Sequence, residues 1–353
     1  MALYINGIGN ISPAPAFGPA AETGARRTAN RLHCQEPNYA DYLDARASRR
    51  LSRIVKMGTA AALQALRAAG LTATDGVLAG TGWGCLEDTV AFLHKMVVNG
   101  EELLSPSAFI HSTHNTIAGQ VAYQLKCRGY NNTYVHRNIS FESALLDATL
   151  LLLENPAANL LLGGIDELTD TSFDILTRLK TFKDPVADLD GPADTRADRL
   201  YGANTPGTWA GEGATFFAVS GQAHPTSYAQ LLAVRTVSFG TPAEAAAVAR
   251  TLLAAHGYAQ VDLVLSGDNG DAANDAACQD FQDALGPQKA TERFKHLCGE
   301  YPTASAFALG LAATRLAAQA KASVPASAAQ PHSILIYNRF QQAHQSLLLL
   351  AAC

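Results

Sequence analysis

Gly76-Val77-Leu78-Ala79-Gly80-Thr81-Gly82-Trp83-Gly84 is a short apolar run that empties into a glycine-rich turn. Two more stretches share that pattern. Leu160-Leu161-Leu162-Gly163-Gly164 is an apolar run closed by a glycine pair, and Gly211-Glu212-Gly213-Ala214 opens another that continues to Ser220. Short apolar runs bounded by glycine read as strands buried on both faces. Between them lie helical patterns. From Arg50 to Ala69, Leu51, Ile54, Val55, Leu63 and Leu66 recur at helical spacing, and Gly70 supplies a stop. Further helices are expected over 85–98, 116–125, 140–154, 241–256, 272–285 and 302–319. Further strands are expected over 3–8, 261–266, 333–338 and 345–350, with 214–220 and 227–237 as a strand pair. Strands alternating with helices give an α/β fold whose sheets are covered by helices. Two β-α-β halves follow, 1–225 and 226–353, forming one compact unit. A polar loop spans 184–207, long enough to be a functional element, and 321–327 is a surface connector.

The chain has 353 residues, enough for a sizeable core. Charged residues make up 16%, below the common value of about a quarter, which points to extensive burial at an interface. A net charge of −5 leaves no electrostatic footprint for nucleic acid. No apolar run reaches membrane-spanning length. The start Met1-Ala2-Leu3-Tyr4 has no basic stretch followed by an apolar one, so secretion is not expected. Cys34, Cys85, Cys127, Cys278, Cys298 and Cys353 form no CxxC pair. They read as buried thiols of a cytoplasmic protein rather than a disulfide or zinc framework.

The three glycine landmarks and their flanks resemble the β-ketoacyl synthase branch of the thiolase-fold condensing enzymes. Ala118-Gly119-Gln120-Val121-Ala122 through Arg128-Gly129 is similar to the helix and turn that precede the nucleophile strand in that family. The resemblance implies a thiolase-like five-layered αβαβα fold made of two pseudo-duplicated halves. It also implies a site of one cysteine and two histidines, and here the chain departs from the pattern. Spacing from Arg128-Gly129 puts Asn138 at the nucleophile position; sliding the alignment puts Ser140 or Glu142 there. Asn138 itself reads as a helix cap. Spacing to Leu285-Gly286 puts Ser266 at the first histidine, and Lys295-His296-Leu297-Cys298-Gly299-Glu300 keeps the family lysine as Lys295 while Glu300 replaces the second histidine. A carboxylate there repels a developing enolate, and a serine offers one weak donor. Ser140 needs an adjacent base to attack a thioester. Near the C-terminus, Asn338-Arg339-Phe340-Gln341-Gln342 keeps the gating Phe340 and replaces two glycines by glutamines, which predicts a stiffened or redirected gate.

The retained framework is therefore Gly163, Gly164, Gly211, Gly213, Lys295 and Phe340, with no catalytic residue expected. His111 and His114 have a spacing that suits a metal but lack companion ligands, so a loop or interface role is expected and no metal. His136-Arg137 reads as strand, pointing to the same interface. Arg49, Arg50, Arg53 and Lys56 form a basic group suited to an acidic acyl carrier protein, or simply a solvated helix face. The Gly80–Gly84 turn lacks both GxGxxG spacing and a Walker lysine. Together the resemblance implies a chain length factor: a cofactor-free subunit, inactive alone, that pairs with a cysteine-bearing ketosynthase in a heterodimer. It would wall an acyl tunnel through residues 107–117 and 130–141, in a type II polyketide, fatty-acid-like or aryl polyene pathway. The alternatives are a malonyl-carrier decarboxylase or acyltransferase using Ser140, Glu142 or Ser266, and a homodimeric acyl-binding scaffold.

Overall fold

The computed structural model describes all residues except 1–2, 15–16, 18–26, 29, 45–47, 50, 185–196, 322–330 and 342. Half of the polar 184–207 loop and most of the 321–327 connector lie outside the described residues. Ten strands form one mixed sheet: β1 (Leu3–Ile11), β2 (Gly76–Gly80), β3 (Tyr130–Tyr134), β4 (Leu160–Asp166), β5 (Gly213–Ser220), β6 (Ala229–Ser238), β7 (Leu263–Ser266), β8 (Thr291–Arg293), β9 (Ser333–Phe340) and β10 (His344–Ala351). Their order across the sheet is β8-β7-β9-β10-β6-β1-β5-β4-β2-β3. The order repeats about the centre. Starting at the β1–β6 junction, each half runs first, fifth, fourth, second, third in chain order. In each half the second, third and fourth strands are parallel and the fifth antiparallel to its neighbours. The halves join antiparallel, Leu3 opposite Leu231 and Ile5 opposite Ala229.

The main helices are α1 (Arg53–Ala68), α2 (Leu86–Val98), α3 (Pro106–Ser112), α4 (Thr116–Gln124), α5 (Ser140–Glu154), α6 (Asp170–Arg178), α7 (Pro242–Ala255), α8 (Ala272–Leu285) and α9 (Ala304–Lys321). Three apolar clusters place them in layers. Leu145 and Ala148 of α5 and Phe307 and Leu311 of α9 fill the middle, against Leu162 and Phe217 on one side and Ile336 and Leu348 on the other. Met57 and Ala61 of α1 and Ile117 and Val121 of α4 cover the outer face of the first half-sheet, over Leu161 and Phe216. Ala249 and Leu253 of α7 and Phe281 of α8 cover the outer face of the second, over Tyr337, Leu347 and Leu349. Neighbours in a strand thus enter opposite cores, Leu161 outward and Leu162 inward, which is why these strands read as unbroken apolar runs. The expected five-layered α/β fold is observed.

The 214–220 and 227–237 segments are not a strand pair. β1 inserts between them and pairs with both, because the same antiparallel strand that closes the first half also seats the second. The sequence reading also lacked α3 and α6. The latter starts at a capping box in which Thr169 and Ser172 exchange side-chain and backbone bonds. No helix among the described residues is long and apolar enough to cross a membrane.

β1 and α1 approach too closely for side chains between them. A Cβ on Gly9 would lie 1.9 Å from the Ala61 carbonyl oxygen, and one on Gly7 would lie 2.1 Å from that of Ala65. Gly9→Ala is expected to lower stability by about 1–3 kcal/mol. Gly119→Ala, where a Cβ on α4 meets open space, is expected to raise it by about 0.5–1 kcal/mol. Thermal melts of the two variants check both signs.

Candidate functional site

The sequence puts its glycine turn where two helices begin. Gly82 faces Pro302, just before α9, and the Arg137 carbonyl, just before α5; a Cβ there would lie 2.3 Å from the Pro302 ring. The turn is held by Asp166 at the end of β4. One oxygen accepts from Thr81 Oγ1 (3.0 Å), Gly82 N (2.8 Å) and Trp83 N (2.8 Å). The other accepts from Thr303 N (3.0 Å) and Thr303 Oγ1 (2.8 Å). Burial pushes this carboxyl up to about 6, against the pull of those donors. Nothing in the motif reading singled out Asp166, although it stands two residues beyond the Gly163-Gly164 pair.

At the position that spacing assigns to the nucleophile, the side chain serves as a tether. Arg137 takes a left-handed turn, φ 52°, ahead of α5, a conformation a non-glycine residue adopts at a cost. Asn138 follows it, buried, and does not cap the helix. Its Nδ2 donates to the carbonyls of Phe340 and His344, both at 3.3 Å. These carbonyls flank the β9–β10 turn, so the amide ties the turn shut. Within that turn Gln341 adopts φ 54°, the conformation that glycine would take without strain. The second glutamine, 342, lies outside the described residues. Phe340 is buried at the end of β9. His136 and Arg137 are not on a strand: β3 ends at Tyr134 and they form the turn into α5.

Where histidines would stand, acids and amides engage one another. Ser266, at the end of β7, is fully buried and donates to Asp268 Oδ2 at 2.5 Å; Arg293 approaches Asp268 at 3.5 Å. Glu300 accepts from Lys295 Nζ at 2.5 Å and from Asn269 Nδ2 at 2.8 Å. Lys295 and Glu300 are both fully buried. Burial pushes the Glu300 carboxyl up, opposed by Lys295 and Asn269. Asn269 is a site residue that spacing missed; it stands in the turn three residues beyond Ser266.

Of the substitute nucleophiles Ser140 is committed, whereas neither oxygen of Glu142 has a hydrogen-bond partner. Ser140 Oγ donates to the Arg137 carbonyl (2.6 Å) and accepts from His136 N (2.8 Å). Glu142 is fully buried, and burial raises its carboxyl against the pull of the Ser346 and Ser305 hydroxyls and the Lys295 charge. His296 contacts Tyr201, and burial depresses its ring to about 4, keeping it neutral. Burial raises the Cys298 thiol well out of the reactive range. None of these groups is an activated nucleophile.

The retained glycines mark close approaches. Gly163 lies on the Phe216 ring, Gly164 on Ala306 and Thr303, Gly211 on the Cys298 carbonyl and Gly213 on Tyr301. Between the last two, Glu212 points inward and accepts four bonds: two from Arg53 (both 2.6 Å), one from Cys34 N (3.1 Å) and one from Leu168 N (3.0 Å). Arg53 of the expected basic group is half-buried and spent on Glu212 and, at 2.6 Å, on Glu36. Arg49 is exposed and Lys56 half-buried; Arg50 lies outside the described residues. His111 sits half-buried in α3, and the His114 ring lies against Gly84 of the glycine turn.

Residues 25–187 match the family model described as the β-ketoacyl synthase N-terminal domain. The chain has the β-ketoacyl synthase fold. It superposes over 100% of its length on 99% of the ishigamide ketosynthase/chain length factor at TM-score 0.76 and 17% identity. A β-ketoacyl synthase from Burkholderia phymatum is matched over 99% of its chain at TM-score 0.77 and 16% identity. A ketosynthase (ApeO) in complex with its chain length factor (ApeC) from Xenorhabdus doucetiae is matched over 98% at 0.75 and 17%. No curated protein sequence matches this one.

Lys295→Met strands Glu300 in the interior and is expected to cost about 3–5 kcal/mol, whereas Lys295→Met/Glu300→Gln recovers most of that loss; denaturant melts of the three proteins check it. A second expectation concerns pH. Burial raises Glu167, beside Asp166, to about 7, above an unfolded value of about 4.3. Its contribution is fully present below the unfolded value and lost as pH rises through 7. Glu167→Gln is therefore expected to flatten the stability–pH curve between pH 5 and 8 by up to about 3 kcal/mol, read as the difference between the two proteins' melting curves.

Proposed function

We propose that this chain is the non-catalytic partner of a cysteine-bearing β-ketoacyl synthase, a chain length factor. The observation that carries this reading is a pair of facts on one side of the molecule. β3 is a sheet edge, bonded to β2 alone. Beside it Leu146, Leu150 and Leu153 form an exposed stripe along α5. Open edges and contiguous exposed leucines are liabilities in a free monomer and fit a partner surface. The same α5 begins two residues after Asn138, the position that spacing assigns to the nucleophile, so in this reading the element that reaches the partner also follows the place where the chemistry is lost.

In this role the chain supplies walls. The partner's cysteine performs Claisen condensation on malonyl units delivered by an acyl carrier protein, and residues 107–117 and 130–141 of this chain bound the growing product. Exposed Phe109 and Ile110 of α3 extend the apolar surface. Arg49, with Lys56 behind it, is the proposed contact for an acidic carrier. We place the pair in the cytoplasm, in type II polyketide or fatty-acid-like synthesis, and within that class in an aryl polyene-type pathway. The decarboxylase and acyltransferase alternatives find no activated group among Ser140, Glu142 and Ser266.

Native mass analysis of the chain purified from its own host tests this reading. A one-to-one complex with a ketosynthase is expected, dissociated by Leu150→Asp with no loss of the chain's own fold by circular dichroism. A homodimer that carries no ketosynthase even after mild crosslinking overturns it.

A further inference from the structure

Arg339, the penultimate residue of β9, is a buried cation without a hydrogen-bond or ion-pair partner among the described residues. It is 9% exposed, its Nε is sealed from solvent with no acceptor, and its guanidinium makes no ion pair with any described residue. Its charge acts on the Cys278 thiol and the Tyr337 hydroxyl, but burial raises both groups, so neither is an anion at neutral pH. The nearby carboxylates are taken. Asp268 is bonded by Ser266 and approached by Arg293, Glu300 by Lys295 and Asn269, and Asp271 by the backbone amides of Gly207, Ala273 and Asn274. Buried charges are ordinarily paired.

Arg339 lines a cleft of about 120 Å³ beside Phe340, together with Lys180, Asn269, Asp271 and Asn274. Asn274 Oδ1 is also buried with no donor, while its Nδ2 is spent on the Gly267 carbonyl at 3.1 Å. The cleft thus has an orphaned cationic donor and an orphaned acceptor on its walls. At about 120 Å³ the cleft is small and suited to a compact group. We propose that this cleft binds a compact oxyanion, a carboxylate or a phosphate group, through the guanidinium of Arg339. The planar fork matches either anion with two parallel bonds. Lys180 adds a second positive charge at the mouth, where it also pairs with Asp184 at 2.7 Å. Asp271 opposes the anion, but its charge is spread over the three amides that bond it and faces Lys183. This inference does not depend on the partner-subunit reading.

Calorimetric titration of the full chain with inorganic phosphate and, separately, with malonate, at matched ionic strength, tests it. Saturable binding of at least one anion is expected, and which one binds identifies the source of the oxyanion. Arg339→Gln is expected to weaken that binding by at least about tenfold, and Arg339→Lys by less. Without ligand, Arg339→Gln is expected to melt no lower than wild type, because it removes an uncompensated charge; a purely structural arginine would give the reverse. Lys180→Gln, at an exposed position, gives a second reading by weakening binding without affecting the melt. Failure of both anions to saturate the wild type at millimolar concentration, or equal affinity in Arg339→Gln, overturns the proposal.

Discussion

Asp166 is the interaction on which the molecule's centre depends. Its two oxygens take five hydrogen bonds, three from the Thr81–Trp83 turn of the first half and two from Thr303 at the head of α9 in the second. One carboxylate therefore fixes where the glycine turn sits relative to the N-termini of both central helices. The glycine at position 82 follows from this, since the turn is pressed between Pro302 and the Arg137 carbonyl. A second carboxylate, Glu212, does the corresponding work at the rim, drawing Arg53, Cys34 and Leu168 onto the Gly-Glu-Gly crossing. Both acids are interior and fully bonded, the condition under which buried polar groups specify a fold rather than weaken it.

Around that frame the three positions that spacing assigns to a condensing site are engaged in internal bonding. Asn138 ties the β9–β10 turn, Ser266 holds Asp268, and Glu300 neutralises Lys295. These are not isolated losses: Glu300 would be an uncompensated buried charge without Lys295 and Asn269, and it has both. The result is a bonded centre entered through the left-handed turn at Arg137.

Much of this was legible in the sequence because strands buried on both faces leave unbroken apolar runs, and glycines mark where backbones touch. Val77-Leu78, Leu161-Leu162 and Phe216-Phe217 each split between an outer and a central core, so the runs located the strands directly. Pairing was less legible: 214–220 and 227–237 read as a hairpin, yet β1, more than two hundred residues earlier, lies between them. Spacing singled out Asn138, Ser266 and Glu300 but gave no sign of the groups they bond. Asn269 and Asp166 carry no motif, and their roles depend on contacts 31 and 137 residues away. Arg53 looked like a surface cation because the carboxylate that draws it inward, Glu212, is remote in sequence. The cap expected of Asn138 failed for the same reason, as two carbonyls from the far hairpin compete for its amide.

The central claim is that this chain shapes condensation without performing it. Intact-mass analysis of the purified heterodimer after incubation with an acyl-loaded carrier protein tests it directly. The acyl group is expected on the cysteine-bearing partner alone, with this chain at its unmodified mass. An acyl adduct on this chain, or turnover by this chain in isolation, would contradict it.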